Sequence, residues 1–353
     1  MRNITSIIFA FIISGISLIA HDHNNETLVT PHPSIKLTPY QNIVYSASFH
    51  LAWKELQNKI LKSKVKTKRP VKLVYTLNES NPDVINNNDH FSTCGFAGNG
   101  ICKQIYISMR SKFNTFVDIF EYNDDPFNII CYSYFRKHLE FESKFETIEQ
   151  PQPFFHNGKS SSVKYFGIWT ANKSKRHEGI RKQVKIVDHK DENNFIISIS
   201  NEHSSDELLF VMSNKFNPDM TLGSAIKYSA GIVNSSQEER LVDNDRLLIP
   251  KVDLNLTHHY DELYGVHLAN EGYKDYFFSA AIHNIGFKLN ESGAFADSEA
   301  KLILKKGPGR RTMIINKPFL VLMKEKNSDK PYFVAWIVNP ELLVKEDKIK
   351  QVL

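Results

Sequence analysis

The sequence predicts an α+β fold, on three observations. Its 353 residues are 41% hydrophobic, enough to bury a large core. Beyond Asp124-Asp-Pro126 short apolar or alternating runs dominate, as strands require. Helical stretches are scattered among these runs instead of alternating strictly with them, which argues against a regular α/β order. The formal charge of +5 is modest for this length and gives no ground for a nucleic-acid partner.

Taken in order, the chain begins with Met1-Arg-Asn, an apolar run from Ile4 to Ala20, and an abrupt polar change at His21. A cationic start, a short apolar middle and a small residue before the polar part predict a secretory signal over 1–20, cut near Ala20. The alternative is an uncleaved anchor, since the run is just short of the roughly 20 residues that span a bilayer. No later segment is long and apolar enough to cross, so the expected product is secreted or extracytoplasmic, with no stable membrane insertion after cleavage. A polar leader follows over 21–37, then one domain over 38–345 and a polar tail over 346–353.

Phe49, Trp53, Leu56 and Ile60 recur on one face and predict a helix over Ser46 to Leu61. Lys62-Ser-Lys-Val-Lys-Thr-Lys-Arg69 places cations at alternate positions, which suits either a polyanion patch or a solvated edge. Val71 to Tyr75 is expected as a strand and Asn78 to His90 as a surface loop. A second helix is expected near Ser111 to Phe120, where Phe113, Phe116, Val117 and Phe120 would share a face. Strands are expected at Asn128 to Phe135, Phe195 to Ser200, Glu207 to Met212 and Arg246 to Lys251, with a short helix at Met220 to Lys227.

Three cysteines occur, Cys94, Cys102 and Cys131. Cys94 and Cys102 flank the flexible Gly95-Phe-Ala-Gly-Asn-Gly100, so in an oxidising compartment they are the candidate disulfide. Three unpaired thiols are the other reading, and Cys131, in an apolar run, is expected to pack without reacting. The chain has no Gly-x-Ser-x-Gly elbow, no His-Glu-x-x-His pair and no phosphate-cradling glycine loop. No enzyme activity, cofactor or metal is therefore assigned.

The stretch from Ala281 to Pro340 is the most informative. It runs Ala281-Ile-His-Asn-Ile-Gly-Phe-Lys-Leu-Asn-Glu-Ser-Gly293, then Ala294-Phe-Ala-Asp-Ser-Glu-Ala300, then Asn316-Lys-Pro-Phe-Leu-Val-Leu-Met323 and Tyr332-Phe-Val-Ala-Trp-Ile-Val-Asn-Pro340. This order resembles the carboxyl-terminal third of the serpins: a strand, a hinge ending in Glu-x-Gly, a protease-bait loop, an Asn-Lys-Pro-Phe strand and a last Val-Asn-Pro strand. The likeness extends back through Leu248-Ile-Pro-Lys251, Glu207 to Ser213 and Gln152-Pro-Phe-Phe-His-Asn-Gly158 to Asn128 to Phe135, so it covers about 126–341. Cys131 and Leu139 depart from the family's usual asparagine and tryptophan, and the helical amino-terminal part is shorter than the family expects.

The resemblance implies a large mixed or antiparallel central sheet, further sheets, helices and an exposed reactive loop. It also implies inhibition of a serine protease by a suicide-substrate route, in which the cut loop enters the central sheet as a strand. Strand side chains alternate between faces, and Ala294, Ala296, Ser298 and Ala300 keep one face small after Glu291 and Gly293. Phe295, Asp297 and Glu299 take the other face. Twenty-five positions separate Glu291 from Asn316, and the family count puts the cut bond near Lys306-Gly307 or Gly307-Pro308; proline on the leaving side blocks most serine proteases, which favours Lys306-Gly307. Lys306 would select a trypsin-like protease, whose specificity pocket holds a carboxylate. Arg310 and Arg311 offer a second basic site. His283 matches the family's sheet-opening histidine, and Lys62 to Arg69 would be a polyanion patch of the kind some serpins use. The alternative function is a non-inhibitory serpin-fold binding or carrier protein.

Overall fold

The computed structural model describes residues 5–9, 26–79, 89–137, 139–169, 175–294, 311–326 and 328–346. The chain packs as two compact units interleaved in sequence: residues 1–22, 46–137 and 255–286 form one, and 23–45, 138–254 and 287–353 the other.

The first unit is built on a five-stranded sheet in the order Val252–His259, Tyr276–Leu289, Thr5–Phe9, Ile129–Phe135 and His90–Phe96. Helix Ser48–Glu55 continues as a wider π turn over Leu56–Leu61. Its Phe49, Trp53 and Leu56 are fully buried, as their shared face predicts. They pack with Cys131, Ile129, Tyr260 and Phe278 into one apolar cluster.

Two helices depart from expectation. Val71 to Tyr75 is not a strand; Lys72–Glu79 is a helix, because the buried residues Val71, Val74 and Leu77 recur every third position instead of every second. The helix expected near Ser111 to Phe120 lies earlier, at Ile101–Phe113, burying Ile101, Cys102, Ile105, Met109 and Phe113. It stops at Asn114, whose φ of 49° is left-handed and ends the helix as a C-terminal cap. Phe116 and Phe120 are consequently exposed.

The second unit holds an eight-stranded sheet in the order Glu239–Arg240, Val184–Asp191, Asn194–Ser200, Asp206–Met212, Phe319–Glu325, Phe333–Ile337, Asn42–Ser46 and Thr27–Thr30. The expected hairpin is present, with Phe195 opposite Met212 and Ser200 opposite Glu207. Thr27–Thr30 is a strand inside the stretch read as a polar leader. Asn42 explains the Val-Asn-Pro ending: its Oδ1 accepts from the Val338 and Asn339 amides at 2.8 and 3.1 Å, and its Nδ2 donates to Asn339 Oδ1 at 2.7 Å. A four-stranded sheet orders Thr312–Ile314, Arg246–Pro250, Lys159–Ile168 and Glu146–His156. The last two turn through Asn157-Gly158, both at positive φ, as a two-residue hairpin requires. The helix expected at Met220 to Lys227 runs longer, over Leu222–Ser235, with Thr221 Oγ1 capping the Ser224 amide.

Candidate functional site

The candidate site begins on Tyr276–Leu289. At its middle His283 is fully buried, with Nε2 2.9 Å from Ser48 Oγ and Nδ1 3.0 Å from Tyr260 Oη. Ser48 opens the first helix, so this histidine ties helix to sheet. Burial, with His258 adding a smaller repulsion, pushes its pKa down from 6.5 to about 3. The depressed value has a signed consequence. Below pH 6.5 the unfolded chain takes up a proton that the folded one refuses, so the stability His283 carries at neutral pH is lost as pH falls towards about 3. The slope is up to about 1.4 kcal/mol per pH unit. Urea unfolding at pH 7 and pH 5 should show the fall, and a His283→Gln variant should lack this part of it; equal slopes would exclude the assignment.

Tyr276–Leu289 and Ile129–Phe135 run in the same direction with one strand between them. That strand is Thr5–Phe9, parallel to both: Thr5 to Phe9 pair with Tyr276 to Ala281, and Ile7 to Phe9 with Ile129 to Cys131. The two flanking strands are thus parted by one strand's width and satisfied by a third. Thr5–Phe9 belongs to the segment read as a signal, and the cut expected near Ala20 lies outside the described residues.

The disulfide forms elsewhere than expected. Cys94 pairs with Cys131, and Cys102 is a free, buried thiol. The antiparallel register places Cys94 directly opposite Cys131 on adjacent strands, within disulfide reach. Gly95 to Gly100 instead leads into the Ile101–Phe113 helix, where Cys102 packs with Ile105, Met109 and Tyr132 in a separate cluster. Cys131 therefore has a covalent role that its apolar surroundings concealed.

At the end of the long strand the chain reverses. The Asn290 amide donates to Gly293 O at 3.0 Å and the Gly293 amide to Asn290 O at 3.2 Å. Gly293–Ala294 then runs antiparallel to Leu139–Glu140, and Phe141 and Phe145 donate their amides to Ser292 O and Glu291 O at 3.0 and 2.8 Å. Gly293 has φ of 133°, and a Cβ there would lie 2.3 Å from Leu139 O, so the close approach admits glycine alone. Glu291 is buried, with Oε2 2.6 Å from Lys251 Nζ and Oε1 3.7 Å from Lys144 Nζ. Burial alone would raise its pKa; the Lys251 hydrogen bond, with Lys144 behind it, outweighs that and holds the carboxyl below its usual range.

Arg311, where the described residues resume, is also pinned. Arg311 Nη2 and Nε donate to Asp245 Oδ2 at 2.7 and 3.1 Å, its Nη1 donates to Glu239 Oε2 at 2.5 Å, and Thr312–Ile314 pairs with Arg246 to Leu248. Arg311, read as half of a second basic site, thus has its guanidinium engaged by one Asp245 oxygen and by Glu239, while its backbone amide donates to the other Asp245 oxygen at 3.1 Å. Sequence gave no signal for that, because Asp245 lies far along the chain. Ala296, Ser298, Ala300, Lys306 and Gly307, with Phe295 and Arg310, lie outside the described residues.

The basic segment is partly explained by local contacts. Val65 is buried, Lys64 Nζ lies 2.8 Å from Glu79, and Arg69 donates to Glu262 O at 3.2 Å. Lys62, Lys66 and Lys68 are exposed, and Lys62 Nζ donates to Asn58 O at 2.7 Å. Among the described residues no helix is long and apolar enough to cross a membrane.

No protein-family model and no curated protein sequence matches the chain. Solved structures do. Human thyroxine-binding globulin complexed with thyroxine matches with a TM-score of 0.51 and 14% identity, over 86% of this chain and 93% of that one. Human glycosylated kallistatin matches with a TM-score of 0.50 and 12% identity, over 86% and 92%. Serpin48 of the insect Tenebrio molitor matches with a TM-score of 0.48 and 11% identity, over 84% and 92%. The chain has a divergent serpin fold. At these identities the shared property is the fold, and what it does here has to be argued from its own residues.

Proposed function

We propose that the chain is an exported inhibitor of a trypsin-like serine protease, acting as a suicide substrate with Lys306-Gly307 as the cut bond. The observation that carries this reading is the seated hinge. Chain reversal at Asn290 to Gly293 has already turned Gly293–Ala294 into a strand antiparallel to Leu139–Glu140. After cleavage the freed segment has only to extend that strand. Ala296, Ser298 and Ala300 continue the small face, where larger residues would cost about 1–3 kcal/mol each in overpacking. Arg311 keeps the other cut end in place. Removal of residues 1–20 would take Thr5–Phe9 away and vacate its position between Tyr276–Leu289 and Ile129–Phe135.

A specific observation favours a second reading, a non-inhibitory binding or carrier protein. Thr5–Phe9 already fills that position, and a chain that keeps it has no place for another strand. Incubating protein that starts at His21 with trypsin, then running a denaturing gel, separates the two. Trapping predicts a detergent-stable band of protease plus inhibitor that disappears in Lys306→Gln, and a raised melting temperature for the cleaved chain. Clean cleavage with neither effect selects the second reading.

A further inference from the structure

A cleft of about 310 Å³ opens beside the Leu222–Ser235 helix, away from the hinge residues. Ile196 and Met212, both buried, form its floor, and Tyr228 and Ile232 of the helix form one wall. That wall is braced from behind: Tyr228 packs edge-on against Phe216 at 5.9 Å, and Phe216 against Trp336 at 5.5 Å. The rim is also ordered, since the Asn214 amide donates to Asn194 Oδ1 at 2.9 Å and Asn194 Nδ2 donates to both Asp191 oxygens at 3.0 and 2.9 Å. An apolar hollow with a fixed polar rim is the usual form of a small-ligand site, and this volume is at the lower end of the range.

The charges at the mouth define the ligand. Lys190 and Lys215 line it, with Asp188 as its one carboxylate. Asp188 lies 3.7 Å from Lys190 and largely offsets that charge. Lys215 is exposed and has no ion-pair partner among the described residues. Lys215 is thus the lining charge left without an opposite partner, since Asp188 answers Lys190 and the rim carboxylate of Asp191 is taken up by Asn194.

We propose that this cleft binds a small apolar carboxylate, its hydrocarbon body on Ile196, Met212 and Ile232 and its carboxylate at Lys215. A carboxylate would make a charge-assisted hydrogen bond there, while a neutral analogue would leave the ammonium unanswered. A second anionic group would meet Asp188. The proposal stands apart from protease inhibition, because neither the hinge nor the bait bond contributes to the cleft, and the trapping gel is blind to it.

Calorimetric titration of the protein with decanoate and with decanol, below their aggregation limits, tests this. Decanoate should bind saturably at one site, decanol at least about tenfold more weakly, and Lys215→Glu should weaken decanoate by at least about tenfold. Ile232→Glu should abolish binding while the variant keeps the parent's unfolding profile. No saturable binding, equal affinity for decanol, an unaffected Lys215→Glu variant, or binding retained by Ile232→Glu would each overturn the assignment.

Discussion

A Glu291→Lys substitution is expected to destabilise the second unit by about 3 kcal/mol, the lower end of the cost of breaking a buried ion pair. The carboxylate is buried and faces two ammonium groups, Lys251 at 2.6 Å and Lys144 at 3.7 Å. Reversing its sign would put three cations together where the native arrangement has one anion between two. The lower end is chosen because the Lys251 and Lys144 side chains keep some contact with water, which screens the repulsion. For a chain of this length the loss corresponds to a fall in melting temperature of roughly 4 °C.

The local effect should exceed the global one. Glu291 also gives its carbonyl to the Phe145 amide, and its neighbour Ser292 gives its own to Phe141, so displacing the side chain disturbs the turn that seats Gly293–Ala294. Limited proteolysis should therefore cut the variant near residue 293 faster than the parent. Pairing Glu291→Lys with Lys251→Glu restores one opposite-charge contact and should recover a large part of the stability. A variant as stable as the parent, or one that Lys251→Glu does not help, would show that the ion pair does not hold the turn from Asn290 to Gly293.

The same residues show what a sequence can and cannot carry. Strands with one buried face or a continuous apolar run, such as Phe195 to Ser200 and Glu207 to Met212, were legible because their pattern has a period of two or none, and nothing shorter than a strand fits it. Val71 to Tyr75 was misread because five residues cannot distinguish a period of two from one of three; Leu77, the third member of the buried stripe, lay just outside the run. The helix ending at Phe113 was placed too late because aromatic residues continue past Asn114, and only the left-handed backbone there reveals the stop.

The site divides in the same way. Glu291 and Gly293 were legible as a pair through their likeness to a hinge, and the geometry gives each a separate physical reason: one is a buried anion between two cations, the other a position without room for a side chain. The anchors were not legible. Asp245 and Arg311 are 66 residues apart, and Lys251 meets Glu291 only because the strand Arg246–Pro250 ends beside the turn. Such contacts depend on register and packing, which single residues do not encode. The small-residue face from Ala296 to Ala300 remains a sequence argument, joined to the described structure at Ala294.

Register also decides the disulfide, and removing it is the second large effect expected. Cys94 and Cys131 close a loop of 37 positions, for which the chain-entropy model gives about 4 kcal/mol of stabilisation. A Cys94→Ala, Cys131→Ala double variant should lose about that amount in urea unfolding. Cys102→Ala should lose only the smaller cost of a trimmed buried side chain, near 1 kcal/mol. Peptide mapping of the non-reduced protein should recover a linked pair containing Cys94 and Cys131, with Cys102 alkylated only after unfolding. The bond has a mechanical consequence too. Ile129–Phe135 borders the position now held by Thr5–Phe9, and Cys131 ties it covalently to His90–Phe96 on its other side. Any widening between Ile129–Phe135 and Tyr276–Leu289 must then move two strands as one block, and the sheet opens at that boundary without fraying within the pair. Mapping that instead joined Cys94 to Cys102 would remove the staple and leave the bordering strand held by its ladder alone.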